Sequence, residues 1–144
     1  MTVTLLACGS RKWGVMPRGI AADNYEACLR KAEKERAIEE DILTKFLLDF
    51  GTDLFIIQGA AAGADTIAYL WALREQVPFK GYPADWATYG RSAGPRRNRQ
   101  MLEEGQPDFV VAFSYLPVST GTANMVKIAR AAGVPTKVYP DNDA

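Results

Sequence analysis

The sequence contains no histidine. That absence removes the Ser-His-Asp and Cys-His catalytic groups, and with them the zinc and iron sites that lean on imidazole. Acid–base chemistry must then come from carboxylates, lysine, tyrosine or cysteine. Cysteine is scarce as well. Cys8 and Cys28 are the only two, without metal-ligand spacing and too few for a disulfide framework. There is no net charge, with 17 basic and 17 acidic side chains. Nonspecific binding of nucleic acid draws on excess positive charge, so the balance argues against a nucleic-acid partner and leaves room only for a local basic patch. No apolar run reaches the roughly 20 residues that span a membrane. The N-terminal apolar run has neither the basic flank nor the cleavage site of a signal peptide. A cytosolic, reducing setting follows as the default, with no membrane partner. Magnesium held on carboxylates stays compatible with the composition, although no acidic cluster announces it.

What remains is ordinary for one globular domain. The 144 residues are 48% hydrophobic and 24% charged, enough to bury a core without staples. Disorder is expected only at Asp141 to Ala144. Five short apolar runs predict strands: Thr2–Ala7 ending at Cys8-Gly9, Asp53–Gln58, a weaker run Val77–Pro83, Asp108–Phe113, and Pro135–Tyr139. Between them lie helical patterns. Apolar residues at Tyr25, Leu29, Ala32, Ile38, Ile42, Phe46, Leu47 and Phe50 keep a spacing of three or four. They predict one amphipathic helix, or two in series broken near Lys34–Arg36, capped by Asp23 and stopped by Gly51. Further helices are expected over Gly63–Glu75, from Pro95 as first helical residue to Gly105, and from Thr120 to Ala132. Asp85–Ala93 reads as a loop. Continuous apolar strands alternating with helices imply a single Rossmann-like α/β domain over residues 1–144. Its five mainly parallel strands would be covered by helices on both faces.

In such sheets ligands bind outside the carboxyl ends of the strands, where strand order reverses. The residues just after each strand therefore carry the chemistry. After the first come Gly9, Ser10 and Arg11, where a glycine lets a ligand approach and two donors follow. After the second comes Gly59-Ala60-Ala61-Ala62-Gly63-Ala64-Asp65, a turn of small residues that suits either a phosphate or tight strand–helix packing. Asp65 fits an N-cap as well as a contact to ribose hydroxyls. Ala84-Asp85-Trp86 follows the third strand, and Trp86 reads first as core or pocket wall, with base stacking the second reading. Arg91, Arg96, Arg97 and Arg99 cluster in an otherwise neutral chain, with Asn98 among them. Arginines in a first helical turn oppose the helix dipole unless an anion sits there too. After the fourth strand, Ser119, Thr120, Gly121, Thr122 and Asn124 open a helix. Hydroxyls and free backbone N–H groups there converge on one spot, a ready phosphate site.

Taken together these segments resemble the YspA-type branch of the SLOG superfamily, the group named for DprA and the LOG cytokinin-activating enzymes. The resemblance covers almost the whole chain and departs at Lys12–Arg36, which is longer and more charged than the family's first loop and helix. It implies a Rossmann-like domain that binds a nucleotide or nucleotide-derived ligand such as ADP-ribose, NAD or a nucleoside monophosphate. It also implies a homo-oligomer and a frequent occurrence in phage and prophage genomes. LOG-type enzymes carry Gly-Gly-x-Gly-Thr-x-x-Glu, whose glutamate serves hydrolysis of the glycosidic bond. Here the matching stretch runs Thr120 to Met125, and Met125 stands where that glutamate would be. A thioether neither activates water nor stabilises an oxocarbenium ion. The expected activity is therefore binding or sensing. The alternatives are nucleotide N-glycosidase hydrolysis, with Asp65, Asp85 or Arg97 as catalytic candidates, and DprA-like binding of single-stranded DNA.

Overall fold

The computed structural model describes residues 1–141. Only Asp141 of the stretch expected to be disordered lies within them. Five strands form one parallel sheet in the order β3-β2-β1-β4-β5. They are β1 Val3–Gly9, β2 Leu54–Gln58, β3 Phe79–Gly81, β4 Phe109–Phe113 and β5 Thr136–Tyr139. β1 lies at the centre, with β2 on one side and β4 on the other. The chain builds outward from β1 to β3, then returns to the far side of β1. The reversal of strand order falls between β1 and β4.

The alternation along each strand divides the core in two. Leu5, Ala7, Ile56, Val111 and Phe113 face one way, against Leu43 of helix α1 (Tyr25–Phe50) and Ile67, Ala68 and Trp71 of α2 (Ala64–Glu75). Leu6, Cys8, Ile57, Val110 and Val138 face the other way. They pack on Met101 of α4 (Ala93–Gly105) and on Met125, Val126 and Ala129 of α5 (Thr120–Ala131). Strands covered on both faces need apolar residues at every position, which is why the runs are continuous rather than alternating.

Three expectations are resolved or corrected. First, of the two forms expected for α1 the single one holds, an unbroken helix of 26 residues, whereas its expected cap does not. The charged triplet Lys34–Arg36 does not interrupt it, because Lys, Glu and Arg are good helix formers and Glu35 is turned inward. The Glu35 carboxylate accepts the Gly14 N–H at 3.0 Å and pairs with Lys31 at 3.6 Å. Asp23 lies in a short 3-10 turn, Ala22–Asn24, and does not cap α1. At about 39 Å, α1 outruns β1, so Tyr25 overhangs the sheet and is exposed. Second, the region read as a loop after β3 contains a short helix, α3 (Trp86–Tyr89), capped by Asp85, whose Oδ1 accepts the Thr88 N–H at 3.1 Å. Third, a 3-10 turn over Gly90–Ser92 leads directly into α4, which begins at Ala93. Pro95 is therefore the third helical residue, a place where a missing N–H still costs nothing. No helix among the described residues is long and apolar enough to cross a membrane.

Candidate functional site

The carboxyl ends of β1 and β4 open onto a cleft of about 700 Å³. Its walls are the loop after β1, α3 with the start of α4, and the start of α5. Gly9, Ser10, Arg11, Asp65, Trp86, Arg97, Asn98, Ser119, Thr120, Gly121, Thr122 and Asn124 all line it. Residues as distant in sequence as Cys8 and Met125 meet there because the strand order reverses at that point. Gly59 borders a smaller pocket alongside. Gly63 acts from behind, with φ +76°, and a Cβ there would come 2.6 Å from the Arg11 carbonyl carbon. That close approach presses the second loop onto the first, and the Ala64 N–H donates to the Ser10 carbonyl at 3.2 Å. The small residues of this turn thus serve packing as well as access.

Four cations line the cleft, Arg11, Lys12, Arg91 and Arg97, against the single carboxyl of Asp65. The arginine cluster divides: Arg96 turns away to the Ser92 hydroxyl at 3.1 Å and over the Tyr89 ring. Arg99 lies exposed outside the cleft lining. Arg97 is a clamp. Its Nη1 donates to the Gly59 carbonyl and, at 3.3 Å, to the Tyr82 carbonyl, while Nε donates to Asn98 Oδ1 at 3.0 Å. The guanidinium thereby ties the ends of β2 and β3 to α4. Gly59 is a glycine because a Cβ there would fall 2.7 Å from the Arg97 guanidinium carbon and 2.9 Å from Asp65 Oδ2. Asn98 carries the tie onward, donating to the Gly121 carbonyl at 3.2 Å and to Asn124 Oδ1 at 3.0 Å.

The first turn of α5 points into the cleft. Ser119 is its extended N-cap residue, and the Ser119 hydroxyl donates to Thr122 Oγ1 at 2.8 Å. Helix geometry leaves the N–H groups of Thr120, Gly121 and Thr122 without acceptors inside the helix. A Cβ on Gly121 would meet nothing within 4 Å, so its backbone is open to a ligand.

Asp65 is buried at the start of α2. Oδ2 accepts the Ala61 N–H at 3.2 Å, and Oδ1 has no hydrogen-bond partner among the described residues. Burial raises its pKa to about 6, against the lowering effects of the Ala61 N–H and Arg97. Behind it the sequence reading missed a second acid. Glu39 is fully buried on α1 with both oxygens unpartnered among the described residues, and burial pushes its pKa well up, with Asp65 adding to the rise. Cys8 lines the cleft, but burial raises its thiol pKa far above the ordinary value, so it is no nucleophile. Asp85 is spent as the cap of α3 and lies outside the cleft lining. Met125 is buried at the cleft floor. Among the described residues no group of three or more His, Cys, Asp or Glu is placed to hold a metal ion.

An open parallel sheet with a basic, glycine-bordered cleft at its strand-order reversal defines a Rossmann-like protein, its cleft lying where such sheets place ligands. The model of the YspA, cpYpsA-related SLOG family matches residues 20–89, from within the segment Lys12–Arg36 to the end of α3. The Gene 61 protein of Mycobacterium phage D29 is 34% identical over 113 residues, covering 75% of this chain and 89% of that protein. The chain belongs to the YspA-related SLOG family. Among solved structures it is similar to DNA processing protein A (DprA) from Streptococcus pneumoniae, with a TM-score of 0.59 at 14% identity. That match covers 99% of this chain and 52% of DprA, so the chain spans about half of DprA's length and shares its fold.

Proposed function

We propose that the cleft binds a nucleotide or nucleotide-derived phosphate ligand, such as ADP-ribose, NAD or a nucleoside monophosphate, and that its phosphate sits on the first turn of α5. The observation that carries this is the open backbone at Gly121, facing a cleft with four cations and one carboxyl. Arg11, Lys12 and Arg91 are exposed at its rim and free to close on an anion. A magnesium ion would arrive with the phosphates, since Asp65 is the cleft's one carboxyl.

Thermal unfolding against a panel of nucleoside mono- and diphosphates, NAD, ADP-ribose and ribose 5-phosphate tests it. A ligand at about 100 times its Kd adds ~2.7 kcal/mol and raises Tm by several degrees. Gly121→Val places two methyl groups in the phosphate position. It is expected to abolish the ligand shift while leaving the Tm of the free protein within about 2 °C, since nothing in the fold contacts that site. No shift with any phosphate compound overturns the proposal.

A second activity is favoured by Asp65. A buried carboxyl at the cleft wall with one unpartnered oxygen, its pKa raised to about 6, suits activation of water or stabilisation of positive charge at an anomeric carbon once ligand entry brings either within reach. In that case the cleft hydrolyses an N-glycosidic bond, Asp65 doing what the family glutamate cannot do as Met125. Asp65→Asn would keep ligand binding and lose release of free base. Ligand recovered intact after long incubation with the wild-type protein leaves binding alone.

A further inference from the structure

Beside the main cleft lies a side pocket of about 280 Å³, floored by the small residues Gly59 to Ala62. Arg11, Ala61, Trp86 and Arg97 line both spaces, so these four form the partition between them. Three are fixed. Arg97 is held by two carbonyls and Asn98. Ala61 is backbone in a turn tied to Asp65. Trp86 stands on the capped helix α3 with its ring edge against Gly94, where a Cβ would lie only 3.3 Å from the ring. Arg11 is different. Its guanidinium makes no hydrogen bond or ion pair among the described residues and rests over the Trp86 ring, 5.1 Å from the centroid.

We propose that Trp86 is the stacking platform for the ligand's aromatic base, and that Arg11 leaves the ring for the phosphate as the ligand enters. This rests on the phosphate-cleft proposal and adds where the base goes and which residue moves. Trp86 is 46% exposed, whereas Trp13 and Trp71 are buried. A large ring held rigid and half open inside a basic cleft offers a flat apolar face that every base can use. The 5.1 Å gap to Arg11 is too narrow for an inserted base, which needs about 7 Å for two layers in contact. The base and Arg11 therefore exclude one another. An exposed cation–π contact is weak, and a charge-assisted hydrogen bond to phosphate is stronger. Moving Arg11 opens the partition and merges the two spaces, so base and phosphate are taken up together.

Because the other tryptophans are buried, acrylamide-quenchable fluorescence of the intact protein comes from Trp86. AMP and UMP are expected to shield that fluorescence from acrylamide. Ribose 5-phosphate is expected to do the reverse, drawing Arg11 away and baring the ring. Trp86→Ala should weaken AMP and UMP binding roughly ten- to a hundredfold, to the level of ribose 5-phosphate, whose own affinity stays unchanged. Trp86→Phe should keep most of the difference. If AMP and UMP bind no tighter than ribose 5-phosphate, or if Trp86→Ala weakens all three equally, the platform is overturned and the phosphate site stands. If none of the three binds, both proposals fall.

Discussion

Replacing Arg97 with methionine is expected to cost about 2–4 kcal/mol of folding stability, before any ligand is added. A hydrogen bond from a charged group contributes ~1.5–3 kcal/mol, and partial exposure of the guanidinium lowers what each supplies. Three losses add up. The Gly59 and Tyr82 carbonyls lose the donor that joins two strand ends. Asn98 Oδ1 loses its donor, loosening the tie from α4 to α5. Asp65 loses the cation that most helps it to ionise. Arg97→Lys keeps a charge but not the planar fork, so it should recover only part of the loss. Urea denaturation of the three proteins checks this. An Arg97→Met midpoint equal to wild type would show that the clamp contributes nothing. Ligand binding lost in Arg97→Met would not by itself make Arg97 a ligand contact, because the same side chain holds the cleft walls. Gly121→Val separates the two effects, since it fills the cleft without touching the clamp.

The second large effect is in pH. Asp65 has its pKa raised from 3.8 to about 6, and Glu39 is raised well above its ordinary value, both by burial. A carboxyl whose folded pKa exceeds its unfolded value holds its proton more tightly when folded. Stability is then greatest below the unfolded pKa and is lost as pH rises through the folded one. For Asp65 the shift corresponds to ~3 kcal/mol, lost between about pH 4 and pH 6 and absent above that. Glu39 adds a loss of the same sign as pH rises. The protein should therefore be measurably more stable at pH 5 than at pH 8. Glu39→Gln should raise stability at pH 8 and flatten the profile, because the neutral amide needs no proton to remain buried. Denaturation curves at pH 5, 6.5 and 8 for wild type, Glu39→Gln and Asp65→Asn decide it. Stability that climbs steadily from pH 5 to pH 8 in the wild type would contradict it.

The five strands and their connecting helices were legible in the sequence because a sheet covered on both faces demands unbroken apolar runs. The cleft was legible because such sheets place ligands at the strand ends, where Gly9, Asp65 and Ser119 to Asn124 stood in order. Arg97 was visible as a cation, but its engagement by two carbonyls depends on strand ends that the sequence does not bring together. α3 was missed because four residues give no periodicity, and only Asp85 as its cap marked it. Glu35 and Glu39 were missed for a different reason. A glutamate at helical spacing normally marks the solvated face, and nothing local shows that Ala32, Glu35, Glu39 and Leu43 form the buried stripe of α1. The signal was present in that spacing of three and four, but charged residues outweighed it.

The central place of β1 has a consequence for the protein during its own synthesis. β1 leaves the ribosome long before β4, yet the Thr4 N–H finds its acceptor on Asp108, and the Ser10 N–H on Phe113. Until then one whole edge of the strand stays bare, with Leu6 and Cys8 uncovered on that face. A nascent chain stopped after α3 has made most of its hydrophobic material and none of α5. Parallel sheets with such distant partners form slowly and expose sticky edges while they wait. Partial chains should therefore be prone to aggregate, and the cleft should arise in one step when the last third of the fold closes over β1.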